Sequence, residues 1–290
     1  MTTGSITILR PGPLTTVQDL GRPGYGMWGI APGGAADRSS FQLANRLVGN
    51  PADSAGLEIT AGGLHATFTT AATIALTGAN APASVAGRAV ALNGPYRIPR
   101  GATLELGDPT HGLRTYLAVR GGLATRRVLG SRATDVIAGI GRELAAGDEL
   151  PIGSDPTHDI LVDLAPTRWW PDPVVIDVVE GPRAESFSAP AFHVLVTGDY
   201  VVSPNSNRIG IRFTGPPVQH RSHGDLPSEP AFRGALEVPP DGQPILLMTD
   251  HPTTCGYPVI GVAEPRSTDA AAQLRPGQHV SFRLLQPDVV

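Results

Sequence analysis

Lysine is missing from this 290-residue chain, so all 22 basic residues are arginine. That absence excludes a Walker-type lysine against phosphates, a Schiff-base lysine, and biotinyl- or lipoyl-lysine on this chain. Any cation that steadies a carboxylate or phosphate here is an arginine, a metal ion or a group from another molecule. Cysteine occurs once, as Cys255, which rules out an internal disulfide and a cysteine-based zinc site and fits a reducing compartment. The opening "MTTGSITILRPGPLTT" lacks the apolar run of a secretory signal, and no apolar stretch of roughly 18 residues follows. The expectation is a soluble, cytoplasmic protein with no membrane partner. Net charge is −4 with neither a basic block nor an acidic tail, which argues against nucleic acid as a partner.

Aromatics are scarce at 5%, while 35 glycines and 29 prolines favour short strands and tight turns over long helices. Runs such as "SITILR", "ATIALTG", "RTYLAVRGG", "VVIDVVEG" and "HVSFRLL" are bounded by Gly, Pro, Asn or Asp, as in a sandwich or barrel. One helix is expected over Asp37–Val48, with an apolar stripe of Phe41, Ala44, Leu47 and Val48, Asp37 as cap and Gly49 after the end. Shorter helices are expected near Glu185–Phe192 and Asp269–Leu274. "RGATLELG", "AAGDELPIG" and "RPGQHVSFR" share a Gly turn followed by an alternating strand, and the last two close the two halves of the chain. The Pro- and Asp-rich stretch "PIGSDPTHDILVDLAPTRWWPDP" reads as a connection. The fold expected is mostly β, with two tandem barrel domains over residues 1–160 and 170–290, the boundary falling between Gly153 and Pro173.

"GYGMWG" matches the G-x-G-x-x-G of dinucleotide-binding loops, which require a strand running in and a helix starting directly after. Pro23 precedes the first glycine and Ile30-Ala31-Pro32-Gly33-Gly34 follows the last, so neither flank fits.

Two polar clusters stand out. In "TTVQDLGRPG", Gln18, Asp19 and Arg22 lie between a strand and a Gly/Pro turn; Arg22 is suited to a carboxylate or phosphate, or simply pairs with Asp19. In "MTDHPTTCGYP", Asp250, His251, Thr254 and Tyr257 place acid, base and hydroxyl groups on one loop after an apolar strand. The same residues also suit an ordinary turn bonded to its own backbone. Cys255 near His251 is a weak case for a thiol nucleophile. "HRSHGD", His220 to Asp225, reads as a solvated loop rather than a metal site, and no metal is expected. There is no G-x-S-x-G elbow.

The ordered series "GPLTTVQDLGRPGYGMWGIAPGGAADRSSFQLANRLVGN", "ALTGA", "YLAVRGG", "NRIGIRF", "PPDGQPILLMTDHPTTCGYPVI" and "AQLRPG" resembles the family of the C subunit of 5-oxoprolinase. That family is also described as the biotin-dependent carboxyltransferase subunit, allophanate hydrolase subunit 2, or antagonist of a sporulation-kinase inhibitor. The resemblance spans nearly the whole chain. It implies two cyclophilin-like β-barrels and two partners: a kinase-inhibitor-like B subunit of related fold, and an A subunit of 5-oxoprolinase. Together they open 5-oxoproline to glutamate using ATP, which is then shared with the partner subunits. The resemblance also implies two alternatives. One is a carboxyltransferase acting on a urea-like acceptor, with biotin carried by another protein. The other is a non-enzymatic antagonist of a histidine-kinase inhibitor. Where members often read "TTGGYPKI", this chain has Cys255 for Gly and Val259 for Lys. Opening a lactam that carries a carboxylate calls for an anion-binding arginine, Arg22 or Arg208, and for proton-moving groups, Asp250, His251 and Tyr257. Gln18, Asp19, Gln243 and Thr254 complete the expected substrate-binding set.

Overall fold

The computed structural model describes residues 4–155, 157–167, 171, 173–221 and 226–285. Contacts divide the chain into two compact units, Met1–Arg22 with Gly33–Trp169 and Pro23–Pro32 with Trp170–Val290. Both are mostly β.

The strands of the first unit are β1 (Gly4–Arg10), β2 (Leu14–Gln18), β3 (Gly56–Thr60), β4 (His65–Phe68), β5 (Ala72–Asn80), β6 (Ala83–Val85), β7 (Arg88–Val90), β8 (Pro95–Ile98), β9 (Thr103–Leu106), β10 (His111–Val119) and β11 (Glu149–Ile152). They form a six-stranded sheet in the order β11-β1-β4-β9-β6-β7 and a five-stranded sheet in the order β2-β3-β10-β5-β8. Alternation decides which residues face inward: Ile6 and Ile8 of β1 are fully buried while their neighbours are not. With Leu57, Ile59, Phe68 and Leu76 they belong to one apolar core. Each such side chain contributes roughly 1.5–3 kcal/mol by leaving water.

Helix α1 (Arg38–Leu47) lies against β5 and β10 through Phe41, Ala44 and Leu47. Its start is set by Asp37, whose carboxylate accepts from Ser40 N–H at 3.0 Å and Ser40 Oγ–H at 2.7 Å. The expected helix, cap included, is the observed one. The preceding "PGG" serves a close approach: Gly34 has φ +90°, and a Cβ there would sit 2.7 Å from the Leu20 carbonyl carbon.

In the second unit, β12 (Val174–Glu180), β13 (Tyr200–Val202), β14 (Gly210–Thr214), β15 (Glu229–Pro230), β16 (Ala235–Glu237), β17 (Ile245–Leu247), β18 (Thr254–Cys255), β19 (Val259–Ala263) and β20 (His279–Leu284) follow. Seven of them close a barrel in the order β12-β19-β16-β17-β14-β13-β20, while β15 and β18 pair as a separate ribbon. First and last strands meet in parallel, Val174 opposite Val280. Phe282 packs edge-on to Tyr200 and Phe213, with centroids 5.4 and 5.2 Å apart.

The short helices differ in position from the sequence expectation. Near Glu185–Phe192 the chain makes a 3-10 turn (Ala184–Ser186) and then α2 (Ala191–Thr197), which begins after Pro190. Near Asp269–Leu274 the helix is α3 (Pro265–Ala271), started earlier by a proline in its first turn. "GYGMWG" contributes only a 3-10 turn, Gly26–Trp28, and no helix follows until α1.

Candidate functional site

The first polar cluster is built at the end of β2, where the chain leaves the sheet. Gln18, Asp19 and Arg22 are 0%, 8% and 1% exposed. Asp19 accepts from Gly21 N–H at 2.7 Å, Ser131 Oγ–H at 2.6 Å and Arg132 N–H at 2.6 Å. Gln18 Nε2 donates to Thr16 Oγ1 at 3.0 Å and to the Thr134 carbonyl at 3.1 Å. Arg22 donates from Nε to the Val128 carbonyl at 3.4 Å and from Nη2 to that of Ala133. Its Nη1 is buried without a hydrogen-bond partner among the described residues.

All three residues therefore grip one segment, 128–134, more than a hundred positions away in sequence. Asp19 and Arg22 do not pair with each other. One takes amides and a hydroxyl, the other carbonyls.

A second buried network, missed in the sequence, lies under α1. Glu58 of β3 is 1% exposed and accepts from the Ala36 amide at 2.8 Å and the Tyr116 hydroxyl at 3.0 Å. Arg114 Nε stands 3.5 Å from its other oxygen. The Tyr116 hydroxyl in turn accepts from the Asp37 amide at 2.8 Å. Burial first, then the Glu58 and Asp37 charges, push the Tyr116 hydroxyl well above its ordinary pKa. The signal available in sequence was a lone Glu inside the apolar run "GLEIT".

In the second unit the loop after β17 carries the other cluster. Arg208 meets Asp250 with two bonds, Nε to Oδ2 at 2.7 Å and Nη2 to Oδ1 at 3.0 Å, and the side chains are 10% and 6% exposed. The Asp250 amide also bonds the Arg208 carbonyl at 2.9 Å. The neighbouring His251 is 4% exposed, with Nδ1 2.7 Å from the Pro252 carbonyl. That contact assigns the proton to Nδ1 and the lone pair to Nε2 in the neutral ring. A second buried pair, Arg233 with Asp269 at 2.7 Å, joins the segment before β16 to α3.

The remaining expected residues are spread through the same unit. Gln243 clamps Gly215, accepting from its amide at 2.9 Å and donating to its carbonyl at 3.2 Å. Thr254 lies on β18 opposite Pro230, and Tyr257 is 45% exposed. Cys255 donates its thiol proton to Glu237 of β16, a residue sequence reading did not single out. Burial and then that hydrogen bond raise the thiol to about 11. Burial likewise raises Glu237. A thiol held protonated in this way is a poor nucleophile. His220 bonds the Pro239 carbonyl at 3.1 Å, while residues 222–225 of "HRSHGD" lie outside the described residues. No cluster of three or more metal-ligating side chains occurs among the described residues.

Comparison with known proteins places the chain. The profile of the carboxyltransferase domain, subdomain A and B, matches residues 28–284. The C subunit of 5-oxoprolinase from Escherichia coli (strain K12) is 37% identical over 281 residues, covering 96% of this chain and 90% of that one. Urea amidolyase of Saccharomyces cerevisiae is 30% identical over 306 residues, covering 96% of this chain and 16% of that protein. Among solved structures, the urea amidolyase of Kluyveromyces lactis superposes with TM-score 0.93 at 30% identity, covering 99% of this chain and 19% of that one. TTHA0988 superposes with TM-score 0.89 at 33% identity, and this chain spans only 56% of its length. The chain belongs to the carboxyltransferase domain family.

Proposed function

We propose that this member of the carboxyltransferase domain family is the C subunit of an ATP-dependent 5-oxoprolinase, which opens the lactam of 5-oxoproline to glutamate together with its A and B subunits. The observation that carries the reading is the 37% identity with the C subunit of 5-oxoprolinase over 96% of this chain and 90% of that one, against 30% with urea amidolyase.

The substrate chemistry requires a cation for a carboxylate and groups that move protons around a resonance-stabilised amide. Arg22 is enclosed by carbonyls of segment 128–134, whereas Arg208 stands beside the acid–base loop, so Arg208 is the arginine assigned to that loop. Asp250, with a guanidinium across both oxygens, is suited to accept a proton or steady developing positive charge rather than to donate. His251, its tautomer set by the Pro252 carbonyl, is the proton carrier, and Tyr257 supplies an accessible hydroxyl. Gln18 and Asp19 act by holding segment 128–134, Thr254 lies on β18 directly after the loop of Asp250 and His251, and Gln243 clamps Gly215.

Two features speak against a triphosphate on this chain. The Asp37 carboxylate caps the start of α1, accepting from the Ser40 amide and placing a negative charge there, and the chain has no lysine. In this proposal the nucleotide is bound by a partner subunit. This chain co-purified with its A and B partners is expected to release ADP and glutamate from 5-oxoproline, and this chain alone to release neither. Steady ADP formation by the chain alone, or no glutamate from the full set, would overturn the reading.

The family profile and the 0.93 superposition on a urea amidolyase favour a second reading, transfer of a carboxyl group from biotin on another protein to a urea-like acceptor. In that case an arginine must take any role a lysine would play, because Val259 stands at the expected lysine position. Carboxylation of urea by the chain with a carboxybiotin-bearing partner, and no lactam opening, would select it.

A further inference from the structure

Segment 128–134, held from behind by Gln18, Asp19 and Arg22, forms with its other side the wall of a cavity of 360 Å³ inside the first unit. That volume lies near the lower end for small-molecule sites, about 300–1,000 Å³. Val17, Ala133 and Leu150 line it as buried residues, with Ile140 and Leu144 beside them, so the deep part is apolar.

The exposed lining is charged. Arg126, Arg132 and Arg142 stand against Asp148 and Glu149. Arg142 and Asp148 cancel: Nη1 lies 2.7 Å from Oδ2, and the hydrogen bond from Arg142 holds the Asp148 carboxyl below its ordinary range. Two arginines remain against Glu149. Arg132 uses only Nε, on the Thr125 carbonyl at 2.9 Å, and Arg126 makes no side-chain hydrogen bond or ion pair among the described residues. Two guanidinium groups without carboxylate partners, above an apolar floor, present the complement of an anion with a hydrocarbon body.

We propose that this cavity binds a small organic acid, its carboxylate taken by Arg126 and Arg132 and its apolar body resting against Val17, Leu144 and Leu150. Glu149 at the rim disfavours a doubly charged phosphate relative to a single carboxylate. The site is independent of the lactam-opening reading, since neither the partners nor turnover enters its test.

Isothermal titration calorimetry on the intact chain, with hexanoate, neutral hexanamide and inorganic phosphate as probes, tests it. Hexanoate is expected to bind, with hexanamide and phosphate each weaker by ~10-fold or more, the worth of one charge-assisted hydrogen bond. Arg126→Gln, a change at an exposed position, is expected to weaken hexanoate ~10-fold with the unfolding midpoint unchanged. Absence of hexanoate binding, equal binding of hexanamide, tighter binding of phosphate, or full hexanoate affinity in a folded Arg126→Gln chain would each overturn the proposal.

Discussion

Asp19 and Asp37 in the first unit, and Asp250 and Asp269 in the second, are all less than a tenth exposed, yet their charges are met differently. In the first unit Asp19 is met by neutral donors, two backbone amides and the Ser131 hydroxyl, and Asp37 caps α1 through the Ser40 amide and hydroxyl. In the second, Asp250 and Asp269 each face a guanidinium. Neutral donors spread over several chain positions fix backbone shape, so Asp19 and Asp37 serve as anchors for a loop and a helix. A guanidinium compensates charge at one point. Such pairs rarely repay their desolvation in stability, which makes them more informative about chemistry than about folding.

The largest effect should come from breaking a pair in the second unit. Arg208→Met leaves the Asp250 carboxylate without its guanidinium and is expected to cost ~3–5 kcal/mol by urea unfolding, with partial recovery when Asp250→Asn is added. The matching change in the first unit, Ser131→Ala, removes one of three donors to Asp19 and should cost only ~1–3 kcal/mol. Equal costs would erase the distinction between the two modes of burial.

In the complex proposed above, the isosteric Asp250→Asn should next lower turnover by ~100-fold if Asp250 takes part in proton transfer. Unchanged turnover would return the pair to a purely structural role.

A smaller loss is expected from Tyr116→Phe, ~1–3 kcal/mol, because Glu58 loses a donor and the Asp37 amide an acceptor. A cost near zero in thermal unfolding would show that Glu58 does not depend on the Tyr116 hydroxyl.

The smallest effect lies at Cys255. Its thiol pKa is raised from 9.0 to about 11 in the folded chain. The unfolded thiol therefore loses its proton first, and the stability tied to the folded thiol is present below pH 9 and lost as pH rises toward 11. Cys255→Ser keeps a donor for Glu237 without that titration, so the fall in urea midpoint between about pH 8.5 and 10.5 should be shallower than in the parent chain. Cys255→Gly should leave turnover nearly unchanged. Its loss of activity would restore a thiol mechanism.

Local signals made the mostly β fold and α1 legible. Alternation in "SITILR", the stripe Phe41-Ala44-Leu47 and the Asp37 cap are all written within a few residues of each other. The proline-bounded helices α2 and α3 were misplaced because a short helix is positioned by one proline and by packing, not by periodicity. At the site, sequence identified residue types but not the directions they point. Gln18, Asp19 and Arg22 looked like ligand groups, yet they bond positions 106 to 116 residues away. Arg126 and Arg132 were passed over because nothing beside them in sequence marks a cavity. The Cys255–Glu237 bond joins two strands and was equally invisible.

The parallel seam between β12 and β20 has a consequence for how the protein is made. When β12 emerges from the ribosome both its edges are open, because its antiparallel neighbour β19 and its parallel neighbour β20 are the last two described strands to be synthesised. Until then an apolar strand edge stays open to pairing with other chains, the situation in which nascent β proteins need chaperone protection. A ribosome that stalls or terminates just before residue 279 thus yields a barrel with an open side rather than one that is merely shorter.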